Sequence, residues 1–148
     1  MGKIKFWINN ARPISLPQSM LPALTAVALS VGAGNFSVIA AIASVIGVAC
    51  LHLGMNLLDD WFDYKVGSAE ARQSVANEGF RGRMIKYPYL TSGEATPAQL
   101  LKAICCIMGI AAVMGLIVTY LRGPTILGWV AACLVIGVSH AGWPLKPG

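Results

Sequence analysis

The sequence of 148 residues predicts an all-α, multi-pass transmembrane helix bundle of about four spans. Three observations carry that prediction. Charged residues make up 11% of the chain and hydrophobic residues 56%, against about 25% charged in soluble globular domains. Four apolar runs recur between polar stretches, each run close to the roughly 20 residues needed to cross a hydrocarbon core. All six acidic residues (Asp59, Asp60, Asp63, Glu70, Glu78 and Glu94) fall together between the second and third runs. The chain is therefore expected to be one transmembrane domain, residues 1–148, with a polar loop at about 59–98.

Residues 1–15 form a basic, amphipathic start in which Phe6, Trp7 and Ile8 stand beside Lys3 and Lys5. A short interfacial helix with Trp7 at headgroup level suits that pattern. No apolar h-region precedes Arg12, and the next run has no convincing cleavage site. It is therefore a retained span, not a signal peptide. That first span is expected over about Leu16 to Ala33, kinked by Pro17 and Pro22, and closed by a tight turn at Gly32–Asn35. The second runs from about Phe36 to Leu58 without a formal charge. It is rich in the small residues that let helices approach closely in lipid. Thr96-Pro97 supplies an N-cap and a helix-initiating proline to the third span, about Ala98 to Tyr120. After the turn at Arg122-Gly123-Pro124, the fourth span occupies about Thr125 to Ala141.

Lysine and arginine in the loops set the orientation. The N-terminus carries three, the turn at 32–35 none, the long loop five, the turn near 122 one and the C-terminus one. Both termini and the acidic region are therefore expected to face the cytoplasm, in the cytoplasmic (inner) membrane. The net charge of +5 does not point to nucleic acid, because no basic helix or aromatic-basic surface accompanies it. Cys50, Cys105, Cys106 and Cys133 lie in apolar runs without a CxxC spacing. They read as small buried hydrophobes with free thiols.

Function is concentrated at the end of the second run, Asn56–Glu70. Residues three, four and seven apart share a helix face. His52, Asn56, Asp59, Asp60, Asp63 and Gly67 obey that spacing, and Glu70 joins them if the helix reaches so far. Clustered carboxylates repel one another, raising pKa values or demanding a cation. Acids at a helix C-terminus also oppose the macrodipole, and ionisable groups at membrane depth usually mark a function. Oxygen ligands of this kind suit Mg²⁺, which is commonly held by one or two carboxylates and substrate phosphates. Asp60 and Asp63 are the first candidates for that cation. Asp59 and Asn56 are further ligands or hydrogen-bond partners. Arg72, Arg81, Arg83 and Lys86, in the same loop, are either topology signals or contacts to a phosphate. A lone histidine such as His52 or His140 is more often hydrogen-bonded packing than a catalytic base.

The stretch Asn56-Leu57-Leu58-Asp59-Asp60-Trp61-Phe62-Asp63, followed by Gly67, resembles a motif of the UbiA superfamily of intramembrane aromatic prenyltransferases. The motif runs N-L-x-N-D-x-x-D-x-x-x-G-x-D in the subgroup that prenylates 1,4-dihydroxy-2-naphthoate for menaquinone. Ala11-Arg12-Pro13 before Ser15-Leu16-Pro17 is similar to the family's lead into its first span. Ser92–Pro97 is similar to the segment before the third, and Pro144-Leu145-Lys146 to the stretch after the fourth. The resemblance implies that Asp60 and Asp63, assisted by Asn56, bind Mg²⁺ and a polyprenyl diphosphate. It also implies that Arg12 and Lys146 face the substrate cavity. The implied reaction is loss of diphosphate to give an allylic carbocation, which an electron-rich aromatic acceptor attacks.

Departures accompany the matches. Asp59 stands where the family has Asn, and Ser68-Ala69-Glu70 replaces the aspartate after the glycine. The family also has about nine spans and a second aspartate motif, whereas four spans are expected here. The resemblance thus covers an N-terminal half, as a fragment, as a split half completed by a second chain, or as a shortened relative. The rival expectation is a non-catalytic membrane subunit that pairs with another chain or binds a lipid diphosphate. A transporter would place its ionisable groups near the midplane, and the D-G-x-x-A-R pattern of the CDP-alcohol phosphotransferases is missing.

Overall fold

The computed structural model describes residues 2–66 and 87–141. Among the described residues all regular structure is helical. The order is α1 (Lys3–Asn10), a 3-10 turn (Pro13–Ser15), α2 (Pro17–Ser30), α3 (Val38–Val66), the single-turn α4 (Pro88–Thr91), α5 (Pro97–Arg122) and α6 (Thr125–Ala141). Two of these, α3 and α5, are long and apolar enough to cross a membrane, with mean hydropathies of 2.2 and 2.4.

The helix ends follow from local chemistry. Thr96 accepts a hydrogen bond from the Gln99 amide, and the Gln99 side chain accepts one from the Thr96 amide. This reciprocal cap satisfies two donors that a helix start leaves open. Pro97 occupies the first position of α5, where its missing N–H costs no bond. The same reasoning corrects the expected double kink in α2. Pro17 begins that helix and only Pro22 lies inside it. With Gly32 and Gly34 just beyond its end, α2 reaches 14 residues, fewer than the run Leu16–Ala33 suggested. At the far end of α5, Arg122 donates to the Asn35 carbonyl at 2.6 Å, tying the helix to the α2–α3 turn.

The bundle is built around the α3–α5 pair, with α2 along α3 and α6 against both. Glycine allows the close approach. A Cβ on Gly54 would lie 2.6 Å from Met108 Sδ, and one on Gly47 would lie 3.2 Å from Met114 Cβ. Small residues serve helix packing this way in lipid, where no hydrophobic drive separates protein from solvent.

The expected polar loop at 59–98 is corrected at both ends. Helix α3 continues through Asp59, Asp60 and Asp63 to Val66, aided by Lys65, which stacks 4.1 Å over the Trp61 ring and suits the helix C-terminus. At the other end, Tyr87, Tyr89, Leu90 and Ala95 are buried in the core with Leu57 and Leu100. Helix α1 docks on the same cluster: Trp7 meets the Tyr89 ring edge-on at 5.8 Å. The cysteines are free thiols, but Cys105, Cys106 and Cys133 are exposed and Cys50 is half-buried. An apolar run does not by itself imply an interior position, and these cysteines lie on helix faces that the rest of the chain leaves uncovered, so the buried expectation fails.

Candidate functional site

The site forms where the segment between α1 and α2 crosses the C-terminal third of α3. Asn56 donates both amide protons to that segment, one to the Ala11 carbonyl at 2.9 Å and one to Ser15 Oγ at 3.1 Å. Ser15 in turn donates its only proton to the Arg12 carbonyl at 2.8 Å. Its oxygen must therefore accept from His52 Nε2, 2.8 Å away, which assigns the Nε2–H tautomer. Nδ1 is left as an acceptor for the Ser19 hydroxyl at 2.6 Å. His52 is thus an anchor bonded through both ring nitrogens. Its helical register with Asn56 puts both on the face that grips the 3-10 turn.

The grip fixes Arg12. Its backbone sits at φ 57°, ψ 61°, in the left-handed region, and among the described residues no other non-glycine has positive φ. Such a conformation costs a non-glycine residue about 1–2 kcal/mol and persists where surroundings over-determine it. Pro13 contributes by disfavouring the right-handed α region for the residue before it. Held this way, the Arg12 guanidinium forms an ion pair with Asp60 Oδ1 and lies 3.8 Å from Asp59 Oδ2.

Asp60 is 0% exposed and Asp63 1% exposed. The second oxygen of Asp60 accepts the Tyr89 hydroxyl at 2.9 Å, and Tyr87 donates to the Asp63 main-chain carbonyl at 3.4 Å. Burial, followed by the neighbouring charge of Asp60, pushes the Tyr89 phenol up from its ordinary value. Tyr89 therefore remains a proton donor to the carboxylate. Its own position is set by α1 and α4: Phe6 and Trp7 pack edge-on around its ring at 6.1 and 5.8 Å.

The structure thus brings together Arg12, Asn56, Asp59, Asp60 and Asp63, five of the residues singled out from sequence. The expected phosphate contacts Arg72, Arg81, Arg83, Lys86 and Lys146 lie outside the described residues, as do Gly67 and Glu70. Ser15, Ser19, Tyr87 and Tyr89 had not been singled out. The hydroxyls at 15 and 19, four apart and flanking Pro17, were the available signal for the first pair. Nothing local marks the tyrosines.

Mg²⁺ requires several oxygen ligands at once. Among the described residues no three His, Cys, Asp or Glu side chains are grouped to hold a metal. Both oxygens of Asp60 are engaged by Arg12 and Tyr89, and among the described residues no buried side-chain polar atom is left without a partner. In this arrangement the described residues do not fit a divalent cation. Asn56 likewise directs its amide protons at the protein, which makes it an anchor of the 3-10 turn. No protein-family model matches the chain, and neither a curated protein nor a solved structure is significantly similar to it.

Proposed function

We propose that the chain is the N-terminal half of a UbiA-type intramembrane prenyltransferase, acting on a polyprenyl diphosphate and an aromatic quinone precursor. The favoured acceptor is 1,4-dihydroxy-2-naphthoate. One observation carries the proposal. The two sequence motifs that resemble the family, Ala11-Arg12-Pro13 and Asn56–Asp63, are folded against each other by bonds spanning 45 and 48 residues. A resemblance arising by chance would have no reason to join its separate parts at one site.

In this proposal the four apolar helices form one bundle in the cytoplasmic (inner) membrane, with the acidic end and both termini towards the cytoplasm. The reaction breaks the allylic C–O bond, and its electron pair leaves with the diphosphate. A ring carbon of the acceptor then bonds to the cation and releases a proton. Arg12 and Lys146, with Arg72, Arg81, Arg83 and Lys86, are the chain's candidates to balance the diphosphate's charge, an electrostatic contribution to catalysis. Mg²⁺ stays the cofactor that the resemblance implies. The roles given to this chain run only through its own residues.

A second proposal is favoured by the closed state of Asp60. A carboxylate engaged on both oxygens suits a non-catalytic membrane subunit, or a half that gains competence on pairing with a second chain. The deciding experiment is prenyl transfer by membranes containing this chain, with Mg²⁺, labelled polyprenyl diphosphate and dihydroxynaphthoate. Activity that Asp60→Ala and Asp63→Ala both abolish establishes transfer by the chain itself. Diphosphate binding lost in those variants, without transfer, establishes a half-site. Neither binding nor transfer sinks the prenyltransferase proposal.

A further inference from the structure

The end of the bundle away from the acidic site holds a groove between α2, the start of α3 and the end of α5. Its volume is about 400 Å³, within the range of about 300–1,000 Å³ usual for small-ligand sites. Along α3, Ala40 in its wall lies about 30 Å of helical rise from Asp60. We infer that this groove seats an acyl chain of an anionic phospholipid, with the lipid's phosphate on Arg122. The inference rests on α3 and α5 crossing a membrane, and it is independent of prenyl transfer.

Charge is the first support. Arg122 lines the groove and gives one N–H to the Asn35 carbonyl, out of the five that a guanidinium carries. Among the described residues no carboxylate pairs with it. The described acids, Asp59, Asp60, Asp63 and Glu94, all stand at the opposite ends of α3 and α5. The other described cations, Lys3, Lys5, Arg12, Lys65 and Lys102, belong to that opposite end too, so a topology signal does not account for Arg122. A guanidinium fork matches the oxygens of a phosphate. Ser37 lies beside it in the groove; its oxygen accepts the Ala40 amide, and its proton can serve the same headgroup.

Shape is the second support. Away from Arg122 the groove is walled by Ala23 and Ala26 of α2 with Ala40 and Ala41 of α3, and Val48 lies further along. Side chains this short leave a trough where larger ones would fill the space between the helices. The groove thus has one charged end and an apolar length. A free phosphate would use only the first, whereas a phospholipid uses both.

The test uses the purified full chain in detergent, with bound lipid counted by native mass spectrometry. Phosphatidylglycerol should bind about tenfold more tightly than phosphatidylcholine with the same acyl chains, the effect of one charge-assisted contact. Arg122→Gln should bring that ratio close to one. Arg122→Lys keeps the charge but not the planar fork and should fall between the two. Ala26→Leu fills the trough from an exposed position. It should weaken both lipids with Arg122 in place, and it answers the question if the glutamine variant fails to fold. A preference that survives Arg122→Gln overturns the inference, as does lipid binding unmoved by Ala26→Leu. Full displacement of phosphatidylglycerol by inorganic phosphate overturns it in favour of a simple anion site, and a dimer that excludes lipid overturns it in favour of a second copy. No prenyl donor enters the measurement, so either proposal can fail without the other.

Discussion

Tyr89 donates its phenolic proton to Oδ2 of Asp60 across 2.9 Å, although 29 residues separate the two in sequence. The contact joins α4 to α3 at a point closed to solvent. It turns a short, otherwise unremarkable helical turn into one wall of the acidic site.

Removing that hydroxyl should therefore be costly. Tyr89→Phe leaves a buried carboxylate oxygen short of a donor, a loss of about 1–3 kcal/mol. Thermal unfolding in detergent should show a lowered midpoint. Asp60→Asn made on top of Tyr89→Phe should add less than it does alone, because the two share one interaction. Additive effects would mean the bond contributes little.

The same phenol gives a pH dependence whose sign is fixed. Its pKa is raised above the ordinary 10.0 by burial and then by Asp60, so at alkaline pH the folded chain retains a proton that the unfolded chain releases. Stability contributed by Tyr89 is complete below pH 10 and falls as pH rises beyond it. Phenolate absorbance should show one tyrosine titrating late and coming into view on unfolding. In Tyr89→Phe that late component should vanish.

Ser15→Ala tests the tautomer of His52. Loss of Oγ strips His52 Nε2–H and one Asn56 proton of their acceptor, a cost of about 1–3 kcal/mol. Nitrogen NMR of the imidazole should report Nε2–H in the wild type and a changed tautomer balance in the variant. An unchanged spectrum would show that Ser15 does not orient the ring.

The cap of α5 offers a measurement away from the site. Thr96→Ala removes the side-chain half of a reciprocal cap and should destabilise the chain by about 1 kcal/mol, read as a lowered thermal midpoint in detergent. An unchanged midpoint would show that the cap contributes little.

Much of the helical framework was legible in sequence. Thr96-Pro97 announced the start of α5, and Gly123-Pro124 its end, because these residues have few conformational alternatives. The face carrying His52, Asn56, Asp60 and Asp63 was legible for the same reason, since helical periodicity is a local rule. Tyr89 and Ser15 were not. Their roles depend on partners 29 and 41 residues away, and no spacing encodes that. The apolar span was expected to close at Leu58, yet the spacing of the acids already read as helical, and burial of Asp60 and Asp63 beside Tyr89 and Tyr87 accompanies the helix to Val66. The cysteines were misplaced because lipid-facing and interior positions share one composition.

Helix α3 holds a last consequence. Its 29 residues rise about 1.5 Å each, giving a rod of about 43 Å, while the hydrocarbon core measures about 30 Å. With Val38 at one boundary of the oily layer, the opposite boundary is met close to Leu57 and Leu58. The carboxylates then stand one turn further out, among the lipid phosphates. A rod of this length that crosses the oily layer carries the Arg12–Asp60 ion pair to its edge, where a charge costs less to hold than at the midplane.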